Sequence, residues 1–346
     1  MGHPEISRDS PVESGCHGRP VHWYAGFTIL VLCVTFITSF NVIFQSDVES
    51  AYANLHRTVK CVSTSWNSTG FKTGRNTRLF LRLNDFIWRY IPSSLPLPYG
   101  TEHSEDTLKM ILSAMSSFDM PENSNRLDCR SCVVVGNGYG IKGTSLGDTI
   151  NHYDVVIRIN DAPVRGFEKD VGNKTTMRFF YPESASQNPS VDNEADTLMV
   201  VIPFKPMDLI WLRNILFDEK RSRKGFWKSP PLMWLANRSN LRILDPFFMR
   251  NTAAQLLQAR FRSKTKDFSL RPTTGILAIY VALNYCDMVH IAGFGYPPIQ
   301  NLTAPTHYFG KTVMKSMKNS GHDVSYEAKA LKRLEDSGAI VYLHPH

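Results

Sequence analysis

The alternation of short apolar runs with amphipathic stretches dominates the chain from about residue 100 onwards. Apolar runs, many of them β-branched, predict strands at residues 133–135, 155–159, 198–202, 241–244, 288–292 and 339–343. Apolar positions at helical spacing predict helices at residues 105–118, 207–217, 252–261 and 276–285, and a last helix that ends near residue 336. Strands that alternate with helices are typical of an α/β fold with one mostly parallel sheet flanked by helices.

The first predicted strand ends in a glycine-rich turn, Gly136-Asn137-Gly138-Tyr139-Gly140. Glycines let the backbone turn sharply and approach a ligand closely. A helix capped by Thr144 or Ser145 is predicted to follow and to end near residue 153. The next strand ends at three polar residues, Arg158, Asn160 and Asp161. Because α/β folds bind ligands at the carboxyl ends of their strands, this order of elements indicates half of a nucleotide site.

A second unit of the same design lies at residues 271–295. Pro272 and Thr273 predict a helix start. The first backbone N–H groups and the hydroxyls of such a start suit a phosphate or a ribose, and here they belong to Thr273, Thr274 and Gly275. The strand at 288–292 ends at a glycine pair, Gly293 and Gly295. The two units together predict a nucleotide pocket made of two halves.

Residues 23–44 are apolar and carry no charge. At about 1.5 Å per residue, a helix of this length crosses the hydrocarbon layer of about 30 Å, which predicts an uncleaved transmembrane signal anchor. The predicted organisation is a cytoplasmic tail at 1–22, the anchor at 23–44, a stem rich in Ser, Thr and Asn at 45–95, and a folded luminal domain at 96–346. Four glycosylation sequons lie after the anchor and favour this orientation, at Asn67, Asn173, Asn237 and Asn301.

Four cysteines lie outside the tail and the anchor, namely Cys61, Cys129, Cys132 and Cys286. The Cys129-x-x-Cys132 spacing is compatible with half of a zinc site or with a redox pair, but no second CxxC is present and the pair runs directly into a strand. Structural disulfides are the preferred interpretation in an oxidising compartment. A Cys132–Cys286 bridge would join the two halves of the pocket, and Cys61 would then pair with Cys129.

The formal net charge of +8 and the pI near 9.1 favour an anionic partner such as a nucleotide, an acidic sugar or a membrane surface. Lys and Arg are scattered and form no long basic block, which argues against nucleic acid. The nearest match to an Asp-x-Asp metal element is Asp192-Asn193-Glu194, which no predicted strand precedes, so no metal is expected. A leaving phosphate then needs protein donors, for which His307, Tyr308 and residues 273–275 are candidates.

His322 is the candidate general base, because it follows a glycine in a polar segment. An imidazole with an ordinary pKa of about 6.5 can remove a proton from a sugar hydroxyl. A lone histidine is more often a structural hydrogen-bonding residue, and that alternative stays open. The spacing assigns no catalytic role to Glu327. A role in packing or in helix capping is as compatible with the sequence.

Four segments, in this order, resemble the sequence motifs of the animal sialyltransferases, glycosyltransferase family 29. Residues 129–184 resemble the large sialyl motif, 272–295 the small one, 307–310 the third and 321–327 the very small motif. Within the family, the stretches LPYG, GFEKDVGNKTT, YPES, KGFWKSPP and ILDPFF are similar to the β-galactoside α-2,3-sialyltransferases. The chain departs from that pattern at Phe309, Gly310 and Asp323, which bears on the choice of acceptor rather than on the reaction.

The resemblance implies a metal-independent, inverting transfer of sialic acid from CMP-N-acetylneuraminate to the 3-hydroxyl of terminal galactose, in Galβ1-4GlcNAc or Galβ1-3GalNAc. It implies donor contacts by Asn137, Asn160, Thr273, Thr274, Gly275, Gly293, Gly295 and Tyr308. His307 would donate to the phosphate as CMP leaves, and His322 would deprotonate the galactose. The Cys132–Cys286 pair matches the disulfide that joins the two motifs in the family.

The resemblance further implies a GT-A-like variant with a single Rossmann-type sheet. It places the protein in the Golgi membrane as a single-pass type II protein. The implied partners are glycoprotein or glycolipid acceptors and a second copy of the chain in a homodimer. Two other hypotheses stay open. Residues 138–143 satisfy the GxGxxG dinucleotide pattern, with Asp161 beyond them, which would suit an NAD-dependent luminal oxidoreductase. The third hypothesis is a membrane-anchored carbohydrate-binding glycoprotein without catalysis.

Overall fold

The computed structural model describes residues 30–40, 77–88, 95–127, 129–259, 271–295, 301–317 and 324–346, with Phe261 and Pro297. The chain divides into two compact units, Met1–His56 and Arg57–His346. In the first unit, residues 30–40 form helix α1. Within the described ranges, no helix has both the length and the apolar character needed to cross a membrane. The rest of the predicted anchor at 23–44 lies outside these ranges.

The second unit is built on one sheet of seven parallel strands in the order β5-β4-β3-β2-β1-β6-β7. The strands are β1 (Ser131–Val135), β2 (Val155–Ile159), β3 (Met177–Phe180), β4 (Leu198–Val201), β5 (Leu241–Ile243), β6 (Met288–Ala292) and β7 (Val341–Tyr342). Every residue of the five strands from β1 to β5 is buried. Burial on both faces is typical of parallel sheets covered by helices. The predicted single, mostly parallel sheet flanked by helices is confirmed.

The helices of this unit are α2 (Asp85–Trp88), α3 (Glu105–Ser113), α4 (Glu122–Asn125), α5 (Gly147–Asn151), α6 (Glu168–Val171), α7 (Pro206–Leu216), α8 (Pro246–Leu256), α9 (Thr274–Tyr285), α10 (Met314–Met317) and α11 (Val324–Asp336). Helix α9 is buried along its whole length and contacts β1, β2, β3 and β6. Its sequence is apolar on every side, as expected for a helix with no solvent face.

Alternate residues of each strand face opposite sides of the sheet. On one side Val134, Ile157 and Val200 share a core cluster with residues of α8, α9 and α11. On the other side Val201 packs in a cluster with α3 and α7, while Val133 packs in a third cluster that includes Ile150 of α5. The sheet is therefore covered on both faces, and its strand ends are left to form a site.

The structure corrects four details of the predicted elements. The helix after the glycine turn begins at Gly147 and has no side-chain cap, because Thr144 donates to the Ile141 carbonyl and Ser145 has a φ of 55°. The helix predicted at 252–261 is α8, which starts at Pro246 because the Asp245 side chain accepts from the Phe247 N–H. Strand β3 was missed, and the closing strand is only the two residues of β7.

Part of the predicted stem belongs to the folded unit. Leu79, Phe80 and Leu81 are buried, and the Leu81 N–H donates to the Ile243 carbonyl at 2.9 Å. Phe80 forms an antiparallel bridge with Leu244 beyond the end of β5. These buried residues lie inside the stretch 45–95 that the sequence assigns to the stem. The four segment boundaries given above otherwise stay predictions.

The strand order reverses direction at β1, the point where α/β sheets open a ligand crevice. The chain passes from β1 outwards to β5 and then returns to place β6 on the free side of β1. The predicted Cys132–Cys286 disulfide is confirmed, with 6.0 Å between the two Cα atoms. It joins β1 to the residue that follows α9.

Cys129 is also disulfide-bonded. Its partner is not one of the other described cysteines, because Cys33 is free and Cys132 pairs with Cys286. The predicted partner, Cys61, lies outside the described residues, so the Cys61–Cys129 pairing stays a prediction.

Candidate active site

The two glycine turns predicted from the sequence lie against each other at the crevice between β1 and β6. The Gly136 N–H donates to the Ala292 carbonyl and the Gly138 N–H to the Gly293 carbonyl, both at 2.7 Å. A Cβ atom added to Gly136 would lie 2.4 Å from the Gly293 oxygen, closer than real Cβ contacts. These glycines therefore let two backbones touch, and that contact brings the two halves of the predicted pocket together.

Two asparagines follow neighbouring strands and carry unpaired amide oxygens. Asn137 follows β1 and Asn160 follows β2. The side-chain Oδ1 of each is buried and accepts no hydrogen bond within the described structure. A buried acceptor without a donor costs about 1–3 kcal/mol, so hydrogen-bond donors of a group bound at this sheet edge would be stabilising. Both residues are among the predicted donor contacts.

Arg178 fixes the backbone that carries Asn160. Its guanidinium donates to the Asn160 carbonyl at 2.9 Å and to the Ala162 carbonyl at 3.0 Å. Asn160 itself has a φ of 56°, a left-handed conformation that asparagine adopts more readily than most L-residues. The Asn160 N–H donates to the Phe179 carbonyl at 2.7 Å. The side chain of Asn160 is thus aimed by a clamped backbone, and sequence reasoning did not find the residue that clamps it.

Arg158, which the sequence places at the end of β2, is not at the surface of the crevice. Its side chain is buried and donates to the carbonyls of Val171, Gly172 and Lys174 and to the Thr175 hydroxyl. Burial, with repulsion from the neighbouring Arg178, lowers the pKa of Arg158 to about 10. Arg158 therefore supports the loop after α6 from inside the protein.

The segment that holds His307 and Tyr308 runs beside the first glycine turn. His307 forms an antiparallel bridge with Gly138, and the Tyr308 N–H donates to the Asn137 carbonyl at 3.0 Å. The Tyr308 hydroxyl donates to the Pro163 carbonyl at 2.7 Å, and burial raises the pKa of that hydroxyl to about 12. Tyr308 is buried, and it supports Asn137 through this backbone hydrogen bond.

His307 is half-buried, and its ring stacks on Phe309 with 5.4 Å between the ring centres. Burial lowers its pKa below the ordinary value for histidine, and the nearby Asp161 carboxylate opposes that shift only in part. At neutral pH the ring is therefore uncharged and keeps one N–H to donate. A neutral donor beside the Asn137 turn suits an anionic group bound in the crevice.

Glu327 binds the start of α9, a contact that spacing in the sequence did not indicate. One carboxylate oxygen accepts from the Thr273 N–H and the other from the Thr273 hydroxyl, both at 2.7 Å. The Thr273 hydroxyl in turn accepts from the Ile276 N–H at 3.3 Å. Thr274 and Gly275 are buried in the first turn of α9, and a Cβ on Gly275 would lie 2.9 Å from the Phe294 ring. Glu327 thus connects α11 to the predicted phosphate-binding helix start.

Replacing Glu327 with alanine is expected to lower the free energy of unfolding by about 1–3 kcal/mol, because the Thr273 N–H loses its acceptor in a partly buried position. The matched control is Asp336→Ala on the same helix. Asp336 makes an exposed ion pair with Lys332 at 2.8 Å, which is worth under about 1 kcal/mol. Chemical denaturation of both variants measures the difference. Equal losses would show that the contact with Thr273 contributes nothing.

The acidic residues considered as a metal or ribose site are engaged elsewhere. Asp192 accepts from the Val164 and Arg165 N–H groups, and Glu194 accepts from the Thr175 N–H. Asp161 forms an ion pair with Lys228 at 3.0 Å. These contacts give each carboxylate a structural role in shaping the loops beside the crevice.

Some predicted residues lie outside the described part of the chain. They are His322, Cys61 and the sequon Asn67. The other three sequon asparagines, Asn173, Asn237 and Asn301, are exposed. Gly293 and Gly295 lie at the end of β6 with φ values of 70° and 99°, as the predicted turn requires.

Comparison with known proteins identifies the family of the chain. The family model for glycosyltransferase family 29 (sialyltransferase) matches residues 83–339. CMP-N-acetylneuraminate-beta-galactosamide-alpha-2,3-sialyltransferase 4 of Homo sapiens is 54% identical over 266 residues, which cover 77% of this chain and 79% of the relative. Type 2 lactosamine alpha-2,3-sialyltransferase of Homo sapiens is 39% identical over 255 residues, 73% of this chain and 76% of the relative.

A solved structure is similar as well. The crystal structure of a mammalian sialyltransferase in complex with Gal-beta-1-3GalNAc-ortho-nitrophenol is 26% identical, with a TM-score of 0.61 over 82% of this chain and 95% of that chain. The motifs, strands β1 to β6 and the paired glycine turns lie within the part of the chain that the family model covers. The chain belongs to glycosyltransferase family 29, the sialyltransferases.

Proposed function

We propose that this protein is a β-galactoside α-2,3-sialyltransferase. It transfers sialic acid from CMP-N-acetylneuraminate to the 3-hydroxyl of a terminal galactose in Galβ1-4GlcNAc or Galβ1-3GalNAc. The names of the relatives support the donor and the linkage. The observation that carries the proposal is the pair of unpaired, buried amide oxygens on Asn137 and Asn160 at the crevice where the strand order reverses.

The donor nucleotide occupies that crevice. The oxygens of Asn137 and Asn160 accept from hydroxyl or amino groups of the cytidine, which removes the cost of leaving them unpaired. The first turn of α9 presents the positive end of the helix dipole to the phosphate at Thr274 and Gly275, because the N–H and the hydroxyl of Thr273 are bound to Glu327. The turn at Gly293 and Gly295 completes the pocket from the β6 side.

The reaction is a single in-line displacement at the anomeric carbon of sialic acid. His322 takes the proton of the galactose 3-hydroxyl as that oxygen forms the new bond, and the bond to the CMP phosphate breaks on the opposite side. The configuration at the anomeric carbon is therefore inverted. His307 donates its N–H to the phosphate oxygen as charge develops there. The donors are all protein groups, so the mechanism needs no metal.

The apolar stretch at 23–44 anchors the protein as a single-pass type II protein of the Golgi membrane, with the site in the lumen. The sequons after the stretch support that orientation. Glycoproteins and glycolipids that end in galactose are the acceptors.

Incubation of the full chain with CMP-N-acetylneuraminate and a panel of galactosides in EDTA tests the proposal. The expected product carries sialic acid on the galactose 3-hydroxyl, as read from the linkage by NMR. A 2,6-linked product would overturn the linkage and leave the class intact. Activity that appears only when a divalent cation is restored would overturn the metal-free mechanism. Absence of any sialylated product, together with absence of CMP binding, would overturn the function itself.

A further inference from the structure

The segment 343–346, which follows β7, lies next to both glycine turns at the crevice. The Leu343 N–H donates to the Ile291 carbonyl in β6 at 3.0 Å. The Gly293 N–H donates to the Nε2 atom of His344 at 2.8 Å. On the other side of the same ring, a Cβ added to Gly140 would lie 3.4 Å from the His344 Cε1 atom. His344 therefore hydrogen-bonds to the end of β6 and lies beside the turn after β1.

The two ring nitrogens of His344 are both engaged, and only one neutral tautomer satisfies them. Nε2 accepts from Gly293, so it carries no proton. Nδ1 lies 2.7 Å from the Pro345 carbonyl, to which it donates its proton. The side chain of His344 is buried. Removing the acceptor would leave the Gly293 N–H buried and unpaired, because the described contacts give it no other partner.

Gly293 is the point where the two halves of the crevice meet. Its carbonyl accepts from the Gly138 N–H, its N–H donates to His344, and its φ is 70°. The carbonyl thus ties Gly293 to the turn that carries Asn137, and the N–H ties it to segment 343–346. A change in the direction of the Gly293 N–H shifts both turns, since each is within hydrogen-bond distance of the other.

We propose that His344 is a positioning residue for the donor pocket, which it holds by accepting the Gly293 N–H at Nε2. The inference rests on the proposed function, in which the Gly293 turn contacts CMP. His344 touches no reacting group and acts through the backbone alone. Its loss is therefore expected to weaken donor binding while leaving acceptor binding and the chemical step nearly unchanged.

Two substitutions at position 344 test this role. A glutamine at 344 places an amide oxygen near the position of Nε2 and keeps the acceptor, whereas an asparagine places its amide near the position of Nδ1 and cannot reach Gly293. His344→Asn is expected to raise the KM for CMP-N-acetylneuraminate and the Kd for CMP about tenfold, the factor that corresponds to roughly 1.4 kcal/mol. Its acceptor KM and kcat are expected to change less than about threefold. His344→Gln is expected to stay within about threefold of the wild type in every constant.

His346→Ala is the control for the segment itself. His346 stacks on Tyr342 and, among the contacts of the described residues, makes no hydrogen bond to the Gly293 turn, so its removal is expected to leave donor constants unchanged. Steady-state kinetics of the full chain in detergent and calorimetry with CMP provide the readouts. If His344→Asn does not fold, His344→Gln decides alone: CMP binding within about threefold of wild type supports the proposal, and binding more than tenfold weaker overturns it.

The outcomes separate the two proposals. If His344→Asn binds CMP as tightly as the wild type does, the positioning role of His344 is overturned, while the proposed function stays intact. Equal losses in donor and acceptor constants would also overturn it, because they indicate a general loss of structure. A wild-type chain that binds no CMP and transfers no sialic acid overturns the proposed function, and the inference falls with it.

Discussion

Replacing Gly293 with alanine is expected to lower the free energy of unfolding by about 3–5 kcal/mol and to abolish measurable CMP binding. Two costs add. Gly293 has a φ of 70°, which costs an L-residue about 1–2 kcal/mol. Its new Cβ would also lie 2.5 Å from the Gly136 carbonyl oxygen, and neither backbone can move without breaking the hydrogen bonds between the turns. Chemical denaturation and calorimetry with CMP measure the two effects.

Gly338→Ala is the matched control for this prediction. Gly338 has the same φ of 70°, but nothing lies within 4 Å of the position of its Cβ. It follows α11 and lies on the surface. Its substitution is therefore expected to cost only the backbone strain of about 1–2 kcal/mol and to leave CMP binding unchanged. If both variants lose the same stability, the contact between the turns is not what requires glycine at 293.

Replacing His322 with alanine is expected to lower kcat by about 10²–10⁴-fold, the range that a positioned general base contributes. Binding of CMP is expected to persist, because no donor contact is assigned to His322. His322 lies outside the described residues, two positions before α11 begins. Glu327, in the first turn of that helix, is bonded to the start of α9. Steady-state kinetics with both substrates and calorimetry with CMP test the variant.

His152→Ala is a suitable control for the kinetics. His152 is exposed and, among the described residues, its ring hydrogen-bonds to the Asp148 carbonyl in the preceding turn, so its loss is expected to change kcat less than about twofold. A His322→Ala enzyme with full turnover would exclude this residue as the base. A variant that loses CMP binding in proportion to its activity would instead assign His322 to the donor site.

Strands β2 and β6 show what the sequence is able to predict. Each is a largely apolar run bounded by polar or glycine residues, and the predicted bounds are those observed. Strand β2 has four apolar residues around Arg158, whereas β3 was missed because it has only three around Arg178. Only the folded structure reveals that this guanidinium is buried and bonded to the Asn193 side chain and to backbone carbonyls. A charge inside a strand is therefore explained by contacts that are distant in sequence.

The features of the site likewise divide into those that the sequence predicts and those that only the folded structure reveals. The sequence indicates that Gly136, Gly138 and Gly293 lie in turns, because each directly follows a predicted strand or its turn. It does not indicate that these glycines touch one another, since that depends on β6 pairing with β1. The contact of Glu327 with Thr273 is hidden for the same reason, because a separation of 54 residues gives no local pattern. Local signals thus find the residues, and strand order decides what they do.

The position of β1 has a consequence for synthesis of the protein on the ribosome. One edge of β1 pairs with β2, which follows almost at once, while the other edge waits for β6. The cysteines that join these regions are 154 residues apart. A nascent chain that has not yet reached Cys286 therefore exposes one unpaired edge of β1, a strand that is fully buried in the folded protein. The free thiol of Cys132 is exposed with it. Translational pausing in that interval is therefore expected to favour mispaired disulfides and aggregation.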